Sequence, residues 1–238
     1  MVPAQLTIRN VAICPATVLA PMAGVTDTVF RRVIRGLGGC GLIMTEFTSA
    51  DGVTRSAAKT LRYLYFHEDE RPITAQLFGA HPDSMARAAT MVQDLGFDLV
   101  DINLGCPAKK VVKCGGSGLL RDLPLLREIL TAVRRAVTIP LTIKIRAGWD
   151  ESSIVATDVA RMAEDLGIEA IAVHPRTRTQ GLNGAATTVP GLQTEYDPPI
   201  HPEIRIRSDR EEPEDAARKI LDYLLTNEWI PTRRLHRV

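Results

Sequence analysis

Short apolar runs alternate with segments of helical periodicity along the first three quarters of the chain. Six of these runs predict β-strands, at Ala16–Leu19, Leu42–Thr45, Ile73–Phe78, Phe97–Ile102, Leu141–Lys144 and Ala170–His174. Amphipathic segments between them predict helices, at Asp27–Leu37, Ala57–Tyr65, His81–Gly96, Leu123–Ala136 and Ser153–Leu166. Strands that are apolar almost throughout and alternate with helices indicate a parallel sheet covered by helices.

The residues just after these strands decide between an open doubly wound sheet and a closed (β/α)8 barrel. An open sheet brings together only the strand ends beside its switch point, whereas a barrel gathers all of them into one ring. Candidate ligand-binding residues lie at or near the carboxyl ends of five different strands, namely Pro21, Met22, Ala23, Gln76, Asn103, Cys106, Lys144, Arg146 and His174. No GxGxxG motif follows the first strand, which disfavours a dinucleotide fold. The sequence therefore predicts an α/β fold of the TIM (β/α)8 type.

The pattern changes at Gly181. From Leu182 to His201 neither helical nor strand periodicity is present, which is uncommon inside a compact domain. One further amphipathic helix is predicted over Pro213–Leu225, with acidic residues at its N-terminal end. We therefore expect an incomplete barrel of about six β/α units in residues 1–181 and a divergent tail over 182–238.

Composition adds few constraints. The net charge is +1 at pH 7, so steering of nucleic acid by the whole molecule is not expected, although a local basic patch is allowed. Nothing in the sequence is typical of a signal peptide or a membrane span, and we expect a cytoplasmic protein without a membrane partner. The four cysteines lack both a CxxC pair and a histidine at metal-ligand spacing, so neither disulfides nor a metal site is expected. Cys14 and Cys40 are expected to be small buried residues, and the oligomeric state is left open.

The segment Asn103–Pro107 places an amide, a glycine and a thiol at the end of the fourth predicted strand. Three ammonium groups follow within a few residues of the thiol, on Lys109, Lys110 and Lys113. A thiol titrates not far above neutral pH, and nearby cations make it easier to deprotonate. Cys106 is therefore a candidate proton donor, and the surrounding charge suits a polyanionic substrate.

The other strand ends suggest a flat, polar cofactor that carries phosphate. Amides at Gln76 and Asn103 can bind the edge of a heterocycle, and the Lys144 ammonium can neutralise an electron-rich atom of its ring. Pro21–Ala23 can cover one face of the ring. The groups that can bind phosphate follow the sixth strand: His174, Arg176 and Arg178. Each residue alone has an ordinary structural explanation, and only their joint position at strand ends favours a site.

Five segments carry motifs of one known family, and they are Leu19–Asp27, Gln76–Gly79, Asp101–Val111, Lys144–Trp149 and His174–Gly181. They resemble the tRNA-dihydrouridine synthases, in particular the bacterial B-type branch. The resemblance extends over about residues 8 to 182. The patterns CPAKKV and HxRTRxQG distinguish this family from the dihydroorotate dehydrogenases and other FMN barrels.

The resemblance implies a TIM barrel in which NADPH reduces FMN and a hydride then reaches C6 of a uracil ring in tRNA. A cysteine protonates C5 from the opposite side, and here that acid is Cys106. The implied FMN contacts are Pro21, Met22, Ala23, Gln76, Lys144 and His174, with Asn103 orienting flavin and substrate. The implied contacts to RNA or substrate are Lys109, Lys110, Lys113, Arg146, Arg176 and Arg178.

The chain departs from the family pattern near its C-terminus. The family's seventh strand ends in Asn-Gly-Asp and its eighth in Gly-Arg, and together these segments hold the FMN phosphate. This chain offers only Arg207-Ser208-Asp209 as an echo of the first and has no Gly-Arg pair after it. The alternative to an active enzyme is therefore a non-catalytic remnant or an RNA-binding pseudoenzyme without stable FMN. An FMN oxidoreductase of a small pyrimidine is a third hypothesis, which the basic loop after Cys106 disfavours.

Overall fold

A computed structural model describes residues 4–55 and 58–180, together with six separate residues between positions 215 and 226. Its strands are β1 (Leu6–Ile8), β2 (Val11–Ile13), β3 (Val18–Leu19), β4 (Leu42–Met44), β5 (Thr48–Ser49), β6 (Ile73–Phe78), β7 (Leu99–Leu104), β8 (Leu141–Arg146) and β9 (Ala170–His174). Its α-helices are α1 (Thr28–Leu37), α2 (Ala50–Thr54), α3 (Ala58–Leu61), α4 (Pro82–Asp94), α5 (Lys109–Val112), α6 (Leu123–Ala136) and α7 (Ala156–Asp165). None of the helices described is long and apolar enough to cross a membrane.

The main sheet is parallel and runs in the order β3-β4-β6-β7-β8-β9, and β5 is a short extra pairing beside β6. Each strand lies next to the strand of the preceding β/α unit, so the order never reverses as it does at the switch point of a doubly wound sheet. Sequential parallel strands with helical crossovers are the arrangement of a TIM barrel. The predicted incomplete barrel is confirmed: six parallel strands run from β3 to β9, the edges of the described sheet, and helices follow the first five of them.

The two faces of the sheet differ in polarity because successive side chains on a strand alternate between them. In β7, the residues Val100, Ile102 and Leu104 belong to the main hydrophobic core, which includes residues of α4, α6 and α7. The alternating positions Asp101 and Asn103 lie on the barrel side and are also buried. Burying an aliphatic side chain contributes roughly 1.5–3 kcal/mol, so the helix-facing residues stabilise the sheet while the barrel side is left for chemistry.

An antiparallel hairpin of β1 and β2 covers the end of the sheet where the strands begin. Ile8 and Ile13 form a small apolar cluster with Leu42 and Leu99, which open strands β4 and β7. The hairpin turn contains Arg9 at a φ of 55°, and its guanidinium donates to the Thr138 carbonyl at 2.7 Å. The hairpin therefore closes the amino end of the barrel and leaves the carboxyl end accessible.

Most predicted elements are confirmed, with shifts that have local causes. The predicted helix over Ala57–Tyr65 is the short α3 followed by a 3-10 turn, Arg62–Leu64. The helix predicted from Ser153 begins at Ala156, because Ser153 is bound to Asp150 in the preceding turn. The expectation that Cys14 is buried is wrong: Ile13 points into the core, and the next side chain points out and is exposed.

The predictions for the tail fall largely outside the described residues. The irregular stretch Leu182–His201 lies outside them altogether. Of the helix predicted over Pro213–Leu225 the structure describes five residues, all in helical conformation: Asp215, Arg218, Lys219, Asp222 and Tyr223. The boundary predicted at residue 181 stays a prediction.

Candidate active site

The predicted site residues lie in the carboxyl-terminal halves of β6, β7, β8 and β9 or just after β3, β7 and β9, and therefore at one edge of the parallel sheet. Asn103 and Lys144 are partners in the register of β7 and β8, and Arg146 and His174 are partners in that of β8 and β9. Side chains at paired positions of neighbouring strands point to the same face. The structure thus brings the amide, the ammonium, the guanidinium and the imidazole together on the barrel side.

The turn after β3 is held in one conformation by two buried polar side chains. The Thr26 hydroxyl accepts from the Met22 backbone N–H at 3.0 Å and donates to the Met22 carbonyl at 3.2 Å. Gly24, at a φ of 77°, donates its N–H to a carboxylate oxygen of Glu46 at 2.7 Å. Pro21 is half-buried, and Met22 and Ala23 are exposed, so the turn offers a fixed, largely apolar surface.

A hydrogen-bonded network fills the barrel side of β6, β7 and β8. Gln76 Nε2 donates to Asp101 Oδ2 at 2.7 Å, and Gln76 Oε1 accepts from Asn103 Nδ2 at 2.8 Å. The hydroxyl of Thr142 donates to Asp101 Oδ1 at 2.5 Å. Gln76 has no exposed surface, so in this conformation its amide supports Asn103 and does not face a ligand. Its predicted contact with a cofactor stays a prediction.

Asp101 is the buried member of this network for which the motifs predicted no role. Its carboxyl is 2% exposed, and burial raises its pKa to about 6, although the hydrogen bonds from Thr142 and Gln76 and the charge of Lys144 act in the opposite direction. Its role depends on partners 25 and 41 positions away in the sequence. The available signal was an acidic residue inside the apolar run that forms β7, since such residues are rarely buried unless they are paired.

Cys106 lies on a turn whose backbone is hydrogen-bonded by the side chains of three residues. Asn103 Oδ1 accepts from the Gly105 and Cys106 backbone N–H groups at 3.2 and 2.9 Å. The Cys106 carbonyl accepts from the Ser117 hydroxyl at 2.8 Å, and Arg146 Nε donates to the Gly105 carbonyl at 2.7 Å. The thiol itself is half-buried. A fixed backbone with a partly accessible thiol suits proton transfer to a bound substrate.

Lys144 and His174 bring positive charge and a hydrogen-bond donor to the same edge. Burial lowers the pKa of Lys144, the Asp101 carboxylate raises it, and the ammonium has no hydrogen-bond acceptor among the described residues. Burial and the cations of Arg146, Lys144 and Arg176 lower the pKa of His174. His174 Nδ1 accepts from the Arg176 backbone N–H at 3.2 Å, so the neutral ring carries its hydrogen on Nε2.

Arg146 and Arg176 were predicted to bind substrate or RNA. The guanidinium of Arg146 is buried and donates to two carbonyl oxygens, those of Gly105 and Thr177. This placement gives Arg146 a structural part in fixing the Cys106 turn. Arg176 is half-buried, with a buried Nε that lacks a hydrogen-bond partner in the described part of the chain. Contact of either residue with RNA stays a prediction.

A basic surface adjoins the thiol. Lys109, Lys110 and Lys113 are all exposed on and just after the short helix α5. Farther along, two guanidinium groups stack on the ring of Trp149, with Arg121 Cζ 4.8 Å and Arg178 Cζ 4.7 Å from its centroid. The predicted contact of Arg178 with substrate or RNA stays a prediction. Its shared stacking with Arg121 on Trp149 was not predicted, because cation–π stacking between segments that far apart has no local signal.

Glycines allow the basic segment to pack on the Cys106 turn. A Cβ on Gly115, at a φ of 139°, would lie 2.9 Å from backbone atoms of Gly79. Gly116 has a φ of 54°, and a Cβ added there would lie 2.7 Å from a methyl group of Val111 and 3.1 Å from the Cys106 carbonyl oxygen. Both positions therefore need glycine, for conformation and for space.

The arrangement fits the motifs, and a comparison with known families decides the assignment. A family model described as dihydrouridine synthase (Dus) matches residues 18–189. The chain belongs to the dihydrouridine synthase family. The matched range includes every strand from β3 to β9 and all the site residues predicted from the sequence. The family resemblance seen in the motifs is confirmed.

Curated relatives agree with this assignment. The chain is 43% identical over 209 residues to tRNA-dihydrouridine synthase B of Pseudomonas aeruginosa, a match that covers 86% of this chain and 61% of the relative. It is 46% identical over 176 residues to tRNA-dihydrouridine synthase B of Xanthomonas axonopodis pv. citri, which covers 74% of this chain and 53% of the relative. The chain thus spans between about half and about three fifths of the length of these synthases.

The similarity reaches farther toward the C-terminus than the motifs indicate. The family model extends to residue 189, and an alignment covering 86% of the chain necessarily includes residues beyond 182. Part of the tail is therefore alignable with the synthases.

A solved structure shares the fold of this family member. It is 6-hydroxypseudooxynicotine amine oxidase from Pseudomonas geniculata N1, with a TM-score of 0.52 and 16% identity over 74% of this chain and 38% of that one. At this level of identity the likeness concerns the fold alone.

Proposed function

We propose that this chain reduces the C5–C6 double bond of uridine in tRNA, with FMN as cofactor, NADPH as reductant and Cys106 as the proton donor. The observation that carries the proposal is the turn that holds Cys106 through Asn103, beside a Lys144 ammonium that has no hydrogen-bond acceptor in the part of the chain described. The named activity of the relatives supports the substrate class.

The residues at the strand ends fit a flavin. An ammonium that burial destabilises gains most from a ligand that offers an electron-rich oxygen or nitrogen, and Lys144 is such a group. The turn Pro21–Ala23 can cover one face of a ring, and Nε2 of His174 can donate to a polar group. When bound, FMN supplies the hydride that it has received from NADPH.

Cys106 supplies the other half of the reduction. Addition of a hydride at C6 and a proton at C5 turns the double bond into a single bond, and the thiolate regains its proton from water. Asn103 holds the Cys106 backbone and lies next to Lys144, so it can orient thiol and ring together. The uridine must leave its stack to reach this edge, as bases do in other enzymes that act on them. Lys109, Lys110 and Lys113 can bind the backbone phosphates beside it.

The first experiment measures flavin. The full chain is purified, and its visible absorption and the FMN released on denaturation are determined. Near-stoichiometric FMN supports the proposal, and a colourless protein that does not bind added FMN contradicts it. Lys144→Met should lower FMN occupancy severalfold, whereas Lys113→Met, which changes an exposed lysine, should leave it unchanged.

The second experiment tests the proton donor. Cys106→Ala should keep FMN and its reduction by NADPH but lose the reduction of uridine in tRNA. Cys114→Ala is the matched control, because Cys114 is an exposed thiol just after the same basic segment. Turnover at the wild-type rate in Cys106→Ala would remove Cys106 from this role.

A non-catalytic RNA-binding remnant is the second candidate. It is favoured by Arg207-Ser208-Asp209, which is only an echo of the Asn-Gly-Asp segment that helps to hold the FMN phosphate in the family. RNA binding by a protein that takes up no FMN would establish it.

A further inference from the structure

We infer that Asp101 is a positioning residue that fixes the side-chain amides of Gln76 and Asn103 and, through them, the backbone that carries Cys106. The inference deepens the proposed function, on which its catalytic meaning rests. It concerns a carboxylate that touches neither the thiol nor the space above the sheet.

The carboxylate of Asp101 determines the orientation of the Gln76 side-chain amide. Both of its oxygens accept hydrogen bonds, Oδ2 from Gln76 and Oδ1 from Thr142. An ionised carboxylate has no hydrogen to donate, so the group that faces Oδ2 must be the NH2 end of Gln76. This contact selects one of the two orientations of the Gln76 amide.

The orientation of Gln76 then determines that of Asn103. With its NH2 group on Asp101, Gln76 presents its carbonyl oxygen to Asn103, which must turn its own NH2 group toward it. The Asn103 oxygen is left to face the backbone N–H groups of Gly105 and Cys106, as observed. Reversal of either amide would place donor against donor.

The two amides are too buried for water to replace the hydrogen bonds that a reversed orientation would lose. Gln76 has no exposed surface, and Asn103 is 6% exposed. A buried donor without an acceptor costs about 1–3 kcal/mol, so the observed direction is strongly preferred. The network runs from a terminal donor, the Cys106 N–H, to a terminal acceptor, Asp101, and only one arrangement of both amides satisfies every group in it.

Amide hydrogen exchange tests the inference on the protein without flavin or RNA. Backbone exchange rates are measured by NMR for Asp101→Leu, Asp101→Asn and Thr142→Val. Asp101→Leu removes the terminal acceptor, and exchange of the Cys106 N–H should become about tenfold faster, as expected for the loss of roughly one hydrogen bond. The Ile143 N–H in the centre of β8 should keep its rate.

The other two variants separate positioning from general loosening. The Asp101→Asn side chain can still accept from Gln76 while it donates to the Thr142 hydroxyl, so Cys106 protection should be restored. Thr142→Val removes the other bond of Asp101 and leaves the two amides in place, so it should have little effect on Cys106.

A variant in the middle of the network covers the case in which Asp101→Leu does not fold. Gln76→Met keeps an unbranched side chain but removes both amide bonds, and it should also accelerate exchange at Cys106. Unchanged Cys106 exchange in Gln76→Met or in folded Asp101→Leu would overturn the inference. Equal acceleration by Thr142→Val would overturn it too. Since neither flavin nor RNA is present, failure of the proposed function would not affect these outcomes.

Discussion

Arg146 Nε donates to the Gly105 carbonyl at 2.7 Å, and this bond joins the end of β8 to the turn that carries Cys106. The same guanidinium donates from Nη1 to the Thr177 carbonyl at 3.0 Å. It therefore connects the end of β8 with the loops after β7 and β9. Burial lowers the pKa of Arg146.

Replacing Arg146 distinguishes a structural role, through its hydrogen bonds to the Gly105 and Thr177 carbonyls, from a direct contact with RNA. Arg146→Lys keeps the charge but cannot reach both carbonyls with one planar group. We expect uridine turnover to fall about tenfold or more, with the salt dependence of RNA affinity unchanged. Steady-state kinetics and RNA binding over a salt series measure the two effects. A smaller salt slope with normal kcat would instead assign Arg146 to RNA binding.

The exposed lysines after Cys106 should affect RNA binding and its salt dependence, in contrast to Arg146. Replacing Lys109, Lys110 and Lys113 by Gln should weaken RNA binding and reduce the slope of log affinity against log salt by about 0.7–0.9 for each phosphate that the variant no longer neutralises. FMN content should not change. The matched control replaces the exposed residues Arg87, Arg127 and Arg135 of α4 and α6, which lowers the net charge equally on the outer side of the barrel. An equal decrease of slope in the control would show that the effect is not local.

Strands with long apolar runs were predictable because their pattern is local. Ile73–Phe78 and Ala170–His174 are strands at the predicted residues, and β8 differs only by its last two residues. The β1–β2 hairpin was not predicted, since three-residue strands carry too little periodicity. Its stability comes from Leu42 and Leu99, which are distant in sequence.

The candidate site was predictable as a set of positions but not as a network. The motifs place Gln76, Asn103 and Lys144 at strand ends, and the parallel register then makes Asn103 and Lys144 neighbours. Which groups bond one another depends on burial and on side-chain direction. A sequence does not show that Gln76 is enclosed or that Arg146 is held by two carbonyls.

A buried ion pair near the first turn of the barrel should contribute strongly to stability. Arg31 Nε and Glu70 Oε2 are 2.6 Å apart, and their side chains are 2% and 0% exposed. Arg31 also donates to the Thr26 carbonyl at 3.0 Å, which supports the turn after β3. Removing one partner of a buried pair leaves an uncompensated charge, so Arg31→Met should lower the free energy of unfolding by about 3–5 kcal/mol.

Urea denaturation measures this decrease, and the neighbouring exposed pair is the control. Arg32 Nη2 and Asp69 Oδ2 are 3.0 Å apart, and their side chains are 47% and 56% exposed. Arg32→Met should therefore cost less than about 1 kcal/mol. Equal effects of the two substitutions would contradict the assignment of the stability to burial.

The buried carboxyl of Asp101 should make stability depend on pH in an unusual direction. Its pKa is raised from 3.8 to about 6, so between these values the folded protein holds a proton that the unfolded chain has released. The free energy of unfolding should then fall as pH rises from about 4 to about 6, by about 3 kcal/mol from this group alone. In Asp101→Asn this contribution is absent. Subtracting the variant's pH profile from that of the wild type, both from urea denaturation, isolates it. A difference that is constant between pH 4 and 7 would show that Asp101 titrates alike in the folded and unfolded chains.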